Sequence, residues 1–244
     1  MISIESVSKH FGEIRAVSEV SLTAEDSRVT GLLGPNGAGK STTLRIASSV
    51  IAADSGRVLV DGVDVAEDPL GTRQRLGVLP HSAGLYPRLT ARENIRYFAK
   101  LNGLRGEPLH SAVENIIERL DIGDYADRRA QGFSHGQRLR VALARALVHG
   151  PRNVILDEPT NGLDVMATRA LREVVRDLRA SGFCVLFSSH VMQEVAALCD
   201  RLVIIAGGRV VARGTLDEIR EQTGEQDLEE AFLTAVSGTG ERSA

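Results

Sequence analysis

Gly34-Pro35-Asn36-Gly37-Ala38-Gly39-Lys40-Ser41 has the composition and spacing of a loop built to hold a polyphosphate: a glycine, four residues, then Gly-Lys and a hydroxyl. Glycines let the backbone curl closely, so that successive N–H groups and the positive end of a following helix point at anionic oxygens. In that geometry Lys40 reaches the β- and γ-phosphates, and Thr42 donates to a neighbouring one. Ser41 places a hydroxyl where it ligates Mg²⁺. The apolar run Val29–Leu33 precedes the loop, which makes the segment strand, loop, helix, with the helix starting near Gly39. A glycine-rich turn can match this pattern by accident, so a second signal is needed.

Val154-Ile155-Leu156-Asp157-Glu158-Pro159 supplies it. A parallel strand buried on both faces is a continuous apolar run, and ligands of open α/β sheets gather at the carboxyl ends of such strands. Two acids stand at this end. Asp157 is placed to hold Mg²⁺ through its water shell, and Glu158, facing another way, to orient and polarise a water attacking the γ-phosphate. A solvated turn is the bland alternative for adjacent acids, but here the preceding residues would be buried.

Three further stretches complete an ordered set. Phe133-Ser134-His135-Gly136-Gln137 resembles the LSGGQ signature of ATP-binding cassette (ABC) ATPases, Asn161-Gly162-Leu163-Asp164 their D-loop, and Ser188-Ser189-His190, after the apolar strand Cys184–Phe187, their switch-histidine segment. The resemblance covers Met1 to Ile219, and the complete ordered set is far more specific than any single motif. It implies two ATP molecules, with Mg²⁺, each held between two subunits. The phosphate loop of one subunit would face Ser134, His135, Gly136 and Gln137 of the other, at the start of a helix read over Leu139–Leu147, with Asp164 crossing the same interface. Lys40, Glu158 and His190 are then the catalytic residues. Phe11, in Lys9-His10-Phe11-Gly12, stands where the family stacks an aromatic ring on adenine; a core phenylalanine is the alternative.

The chain departs from the family pattern at three positions. His81, in Leu76-Gly77-Val78-Leu79-Pro80-His81, occupies the place of a glutamine that ligates Mg²⁺. A neutral imidazole could accept that role in a weaker, more pH-dependent form; a permissive loop position is the competing explanation. His135 replaces the first glycine of the signature pair, and Val165 follows Asp164 where a helix-starting proline is common, which loosens the helix start slightly.

These residues need an α/β frame: a P-loop NTPase core with a mostly parallel central sheet, an N-terminal antiparallel β subdomain and an inserted α-helical subdomain. Ile2–Val7, Val20–Ala24 and Arg57–Asp61 form the antiparallel opening. From Leu89 strands give way to helices, Ala91–Asn102 with Ile95, Phe98 and Leu101 near one face, and Ser111–Leu120. Strands resume with Val154, Cys184–Phe187, Leu202–Ala206 and, after a Gly207-Gly208 turn, Val210–Ala212. The chain, 1–244, is expected to be one ATPase domain: 1–88 and 150–220 the nucleotide-binding core, 89–149 the helical signature subdomain, 221–244 a C-terminal helix and mobile tail. The apolar stripe Leu228, Ala231, Phe232, Ala235 should pack on its own domain.

Composition agrees. With 43% hydrophobic residues over 244 the chain can bury a sizeable core, and a net charge of −3 offers no general attraction to nucleic acid or anionic lipid. Arg128, Arg129, Arg138, Arg140 and Arg145 are expected on a solvated helix face around the signature. Two cysteines without metal-ligand spacing suit a reducing compartment, and the chain shows neither a cleavable leader nor an apolar stretch long enough to span a bilayer. The resemblance implies a cytoplasmic subunit, peripheral on the inner face of the cell membrane, working as a homodimer that drives a separate integral membrane permease. The segment from Leu76 to Ile95 looks most like the sodium- and drug-exporter (NatA-like) subgroup, which implies export. A soluble mechanical ATPase acting on ribosomes or DNA is the alternative, but such relatives carry two cassettes or a long coiled coil, and this sequence has neither. A small-molecule kinase would leave the signature and D-loop unexplained. The cargo is not written in this chain, because the membrane partner selects it.

Overall fold

The computed structural model describes residues 1–82 and 84–237. Strands β1 (Ile2–Phe11) and β2 (Ile14–Ala24) form an antiparallel hairpin across Gly12-Glu13, and β3 (Val29–Leu33) leads into α1 (Lys40–Ala47). Next come β4 (Ser55–Val60), β5 (Val63–Asp64), α2 (Pro69–Arg75) and β6 (Leu76–Leu79). The chain continues through α3 (Ala91–Leu101), α4 (Gly106–Arg119), two short 3₁₀ turns and α5 (His135–Leu147). It returns as β7 (Asn153–Asp157), α6 (Val165–Ala180), β8 (Cys184–Ser189), α7 (Met192–Leu198), β9 (Arg201–Ala206) and β10 (Arg209–Gly214), and closes with α8 (Leu216–Thr223) and α9 (Leu228–Ser237).

Two sheets result. The antiparallel one runs β2-β1-β4-β5; its β1–β2 register shifts between Ile4 and Val7, where Ser6 takes φ +49°, a bulge that adds twist. The larger runs β10-β9-β3-β8-β7-β6, parallel throughout except at the β9–β10 hairpin. β3, β7 and β8 are buried at every position, because this sheet is covered on both faces. Alternate residues face opposite ways. Ile155 and Leu186 join Ile2, Ile4, Val20 and the α1 residues Leu44 and Ile46 under the antiparallel sheet. Val154, Leu156 and Phe187 meet Ile95, Val113, Leu143 and Leu171 on the helical side. Leu228, Ala231 and Phe232 of α9 pack on Leu202 and Ile204, so the C-terminal stripe does cover its own domain. The mobile tail expected at the C-terminus lies, from 238 on, outside the described residues.

Three expectations need correction. α5 starts at His135 and not at Leu139, because Ser134 and Gln137 form a reciprocal cap: Gln137 N donates to Ser134 Oγ at 3.2 Å and Ser134 N to Gln137 Oε1 at 3.1 Å. Leu101 is 63% exposed; the buried face of α3 is Ala91, Asn94, Ile95 and Ala99. The basic run is only in part a solvated face: Arg128, Arg129 and Arg138 are exposed, whereas Arg140 and Arg145 are half-buried. Arg138 donates to the Phe133 carbonyl, Arg140 pairs with Asp121 at 2.7 Å, and Arg145 lies 3.7 Å from the Phe98 ring centroid while donating to the Gly84 carbonyl at 2.8 Å. Burial lowers the pKa of Arg145, yet leaves it cationic against the ring.

Candidate active site

Strand order assembles the site. Four adjacent parallel strands, β3, β8, β7 and β6, end at one edge of the sheet and deliver, side by side, the phosphate loop, His190, the Asp157-Glu158 pair and His81. This is the edge at which parallel α/β sheets bind ligands.

The loop's curvature is forced by close approach. A Cβ on Gly34 would stand 2.2 Å from the Ile205 carbonyl oxygen. Gly39 caps α1 at φ +104°, where a Cβ would also meet the Ala16 carbonyl at 2.5 Å, so only glycine fits either position. Lys40, the first residue of α1, is 4% exposed, and its Nζ donates to the carbonyls of Gly34 at 2.7 Å and Pro35 at 3.1 Å. The ammonium also lies 3.5 Å from Glu158 Oε1.

Asp157 and Glu158 face different ways, as adjacent residues at a strand end must. Asp157 Oδ1 accepts from Ser188 Oγ at 2.7 Å and from Ser41 Oγ at 3.2 Å. Glu158 adopts φ +48°, an uncommon conformation for a side-chain-bearing residue, and its N–H donates to Ser188 Oγ at 2.9 Å. Its carboxylate is ringed by cations or potential cations: besides Lys40, His190 Nδ1 is 3.3 Å and His81 Nδ1 3.6 Å from Oε2. Ser188, fully buried, is a residue whose part sequence reasoning missed; it pairs in register with Asp157, which only the strand order reveals.

A cavity of about 620 Å³ is lined by loop residues Asn36 to Thr42 together with His81, Glu158, Asn161 and His190. Ser134, Gly136, Gln137 and Asp164 line a different cavity, of about 580 Å³, between α5 and α6. His135 faces a third, of about 300 Å³, which it shares with His81 and Glu158. A single chain thus brings together the phosphate loop, Glu158 and both histidines, and keeps Ser134, Gly136, Gln137 and Asp164 in another cavity, while Asn161 of the D-loop lines the first cavity and His135 of the signature borders His81 and Glu158 in the third. Phe11 is 49% exposed at the hairpin end with the Lys9 ammonium 5.7 Å from its ring centroid, so it is not core packing. Asp54 holds that lysine at 2.6 Å, and Lys9 and the His10 backbone hold the Asp54 carboxyl at about 2.

The Ser41 hydroxyl and the Asp157 carboxylate present hard oxygens close together, a donor pair suited to Mg²⁺ beside phosphate. Among the described residues no helix is long and apolar enough to cross a membrane.

A polyphosphate loop at the end of β3, with paired acids at the end of β7, defines a P-loop nucleoside triphosphatase. Residues 17–161 match the family model for ABC transporters. The chain is 41% identical over 241 residues to the ABC transporter ATP-binding protein NatA of Bacillus subtilis (strain 168), covering 97% of this chain and 98% of that one. Two solved structures are similar: an ATP-binding subunit of an ABC transporter, with TM-score 0.87 at 28% identity over 96% of this chain and 99% of that one; and an ATP-binding cassette in a dimeric post-hydrolysis state bound to ADP and Pi, with TM-score 0.79 at 25% identity over 88% and 99%. The chain belongs to the ABC transporter family, and it is an ATP-binding subunit that hydrolyses ATP.

Proposed function

We propose that two copies of this chain close around two ATP molecules and that their opening and closing drives a separate membrane permease, in the direction of export. The observation that carries this reading is the separation of the two cavities: the loop, Glu158, His81 and His190 line one, while Ser134, Gly136, Gln137 and Asp164 line another. A nucleotide held by both sets needs a second chain. Closure is then favoured to the extent that ATP binds the closed pair more tightly than the open one.

Each side chain has a definite task in that scheme. The backbone of 36–42 and Lys40 hold and neutralise the β- and γ-phosphates. Phe11 offers its exposed face to adenine. Ser41 and Asp157 would hold Mg²⁺, which supplies charge neutralisation at the phosphates when bound. Glu158 orients the attacking water and takes its proton at a carboxylate oxygen, while His190 keeps that carboxylate in place and meets the γ-phosphate. His81, with Nδ1 3.6 Å from Glu158 Oε2, contributes to the same carboxylate's surroundings. Ser134, Gly136 and Gln137 present the capped N-terminus of α5, with His135 as its first residue, to the partner's γ-phosphate.

The chain works on the cytoplasmic face of the cell membrane, held there by its permease. To test this, the tagged chain is recovered from native membranes in mild detergent with Mg²⁺ and a non-hydrolysable ATP analogue. Co-recovery of a multi-span protein in comparable amount is expected; ribosomal or chromosomal partners from the soluble fraction, with no such protein, would overturn the reading.

A further inference from the structure

One ion pair joins the helix that follows the D-loop to the helix that follows His190. Arg172 of α6 donates from Nε to Glu194 Oε2 at 3.1 Å and from Nη2 to Oε1 at 2.8 Å, a two-point fork. The Glu194 side chain is 9% exposed, and its proximity raises the Arg172 pKa. A carboxylate this buried is costly unless paired, and a planar fork fixes direction as well as distance.

The positions of the two residues give the fork its reach. α6 is one continuous helix from its cap at Asp164, so a displacement of its first turn is carried to Arg172, about two turns along. Glu194 stands a single turn after His190: its N–H donates to the Val191 carbonyl at 3.2 Å, and Val191 N donates to Ser189 Oγ at 2.9 Å. The His190 backbone is thus bracketed by the end of β8 on one side and the fork on the other. Apolar packing also links the two helices, Leu198 of α7 lying among the helical-side residues with Leu171 and Val175, while Val195 turns to Leu33 and Ile204; the fork is the polar, directional part of the contact.

We propose that Arg172 is a positioning residue for hydrolysis: through Glu194 it sets where His190 stands against Glu158, and it ties that setting to the position of Asp164. Contact of Asp164 with a second chain is thereby passed to the hydrolytic carboxylate of the same chain. This rests on the reading of Asp164 and His190 given above.

The test uses the purified full chain and its ATPase kinetics. Arg172→Ala alone would strand a buried carboxylate and could unfold α7, so the informative variant is Arg172→Leu with Glu194→Leu, since an apolar pair in place of an ion pair preserves folding. The expected result is a near-parent melting temperature, a KM for ATP within about twofold, and a kcat lower by about tenfold or more, as a small displacement of a catalytic group produces. Added to His190→Ala, the same double change should cost nothing further. A folded Leu/Leu variant with parent kcat, or a loss that adds in full to that of His190→Ala, overturns the proposal. Parent-like activity in His190→Ala by itself would instead remove the assigned role of His190, which separates that failure from failure of the fork.

Discussion

Lys40 and Glu158 are 3.5 Å apart and in the proposed scheme would bear on the same phosphate, yet their geometries assign them different losses. Lys40 is buried, its Nζ aimed across the loop's own carbonyls, so in that scheme its charge would already act on the nucleotide as it binds. Replacing it by alanine removes one charge-assisted contact, which is about 1.5–3 kcal/mol. Lys40→Ala should therefore weaken ATP binding by about 10- to 150-fold, measured by titration with a fluorescent ATP analogue. Glu158→Gln, by contrast, keeps shape and burial and should leave that titration nearly unchanged while hydrolysis falls. Equal affinities for the parent and Lys40→Ala would show that the backbone alone holds the phosphates.

At the scale of the element, Asp164 does two things. Its Oδ1 accepts from Ala167 N at 2.8 Å and so caps α6, and in the proposed dimer it would meet the partner chain. The two roles separate by substitution. Asp164→Ala loses the cap, about 1 kcal/mol, and should lower the melting temperature by about 2–4 °C. Asp164→Asn keeps an acceptor and should melt like the parent, so that any fall in its ATPase activity reports the charge and not the helix. Equal melting temperatures for Asp164→Ala and the parent would show that the cap carries no stability here. Elements were legible in the sequence to the extent that their signals were local. The continuous apolar runs at Val154 and Cys184, the Gly207-Gly208 turn and the phosphate loop all lie where their patterns put them. The start of α5 is not marked by the apolar residues that begin at Leu139; it is set by the reciprocal cap whose spacing Ser134 and Gln137 carry. What no local pattern holds is lateral strand order. The approach of His81 and His190 to one carboxylate oxygen, and the pairing of Ser188 with Asp157, follow from β6-β7-β8 adjacency. The fates of Arg140 and Arg145 depend likewise on partners far along the chain, Asp121 and Gly84.

For the whole molecule, the separation of the two cavities makes the second chain part of the chemistry. Each chain offers one half-site around Glu158 and a complementary half around Ser134 and Asp164, so two chains related by twofold symmetry complete two sites at once. ATP then adds its binding energy to the interface, and hydrolysis withdraws it. A variant that binds ATP and hydrolyses it slowly should accumulate the closed pair. Glu158→Gln is that variant, since amide and carboxylate occupy the same volume between Lys40 and His190. With saturating ATP and Mg²⁺ it is expected to elute from a sizing column at twice the monomer mass of 26.2 kDa, and to return to the monomer position with ADP. The parent chain should be mainly monomeric in both, because turnover empties the closed state. A Glu158→Gln chain that stays monomeric under saturating ATP would mean that the two half-sites do not meet across a dimer. The cavity beside Asp164 would then need another explanation.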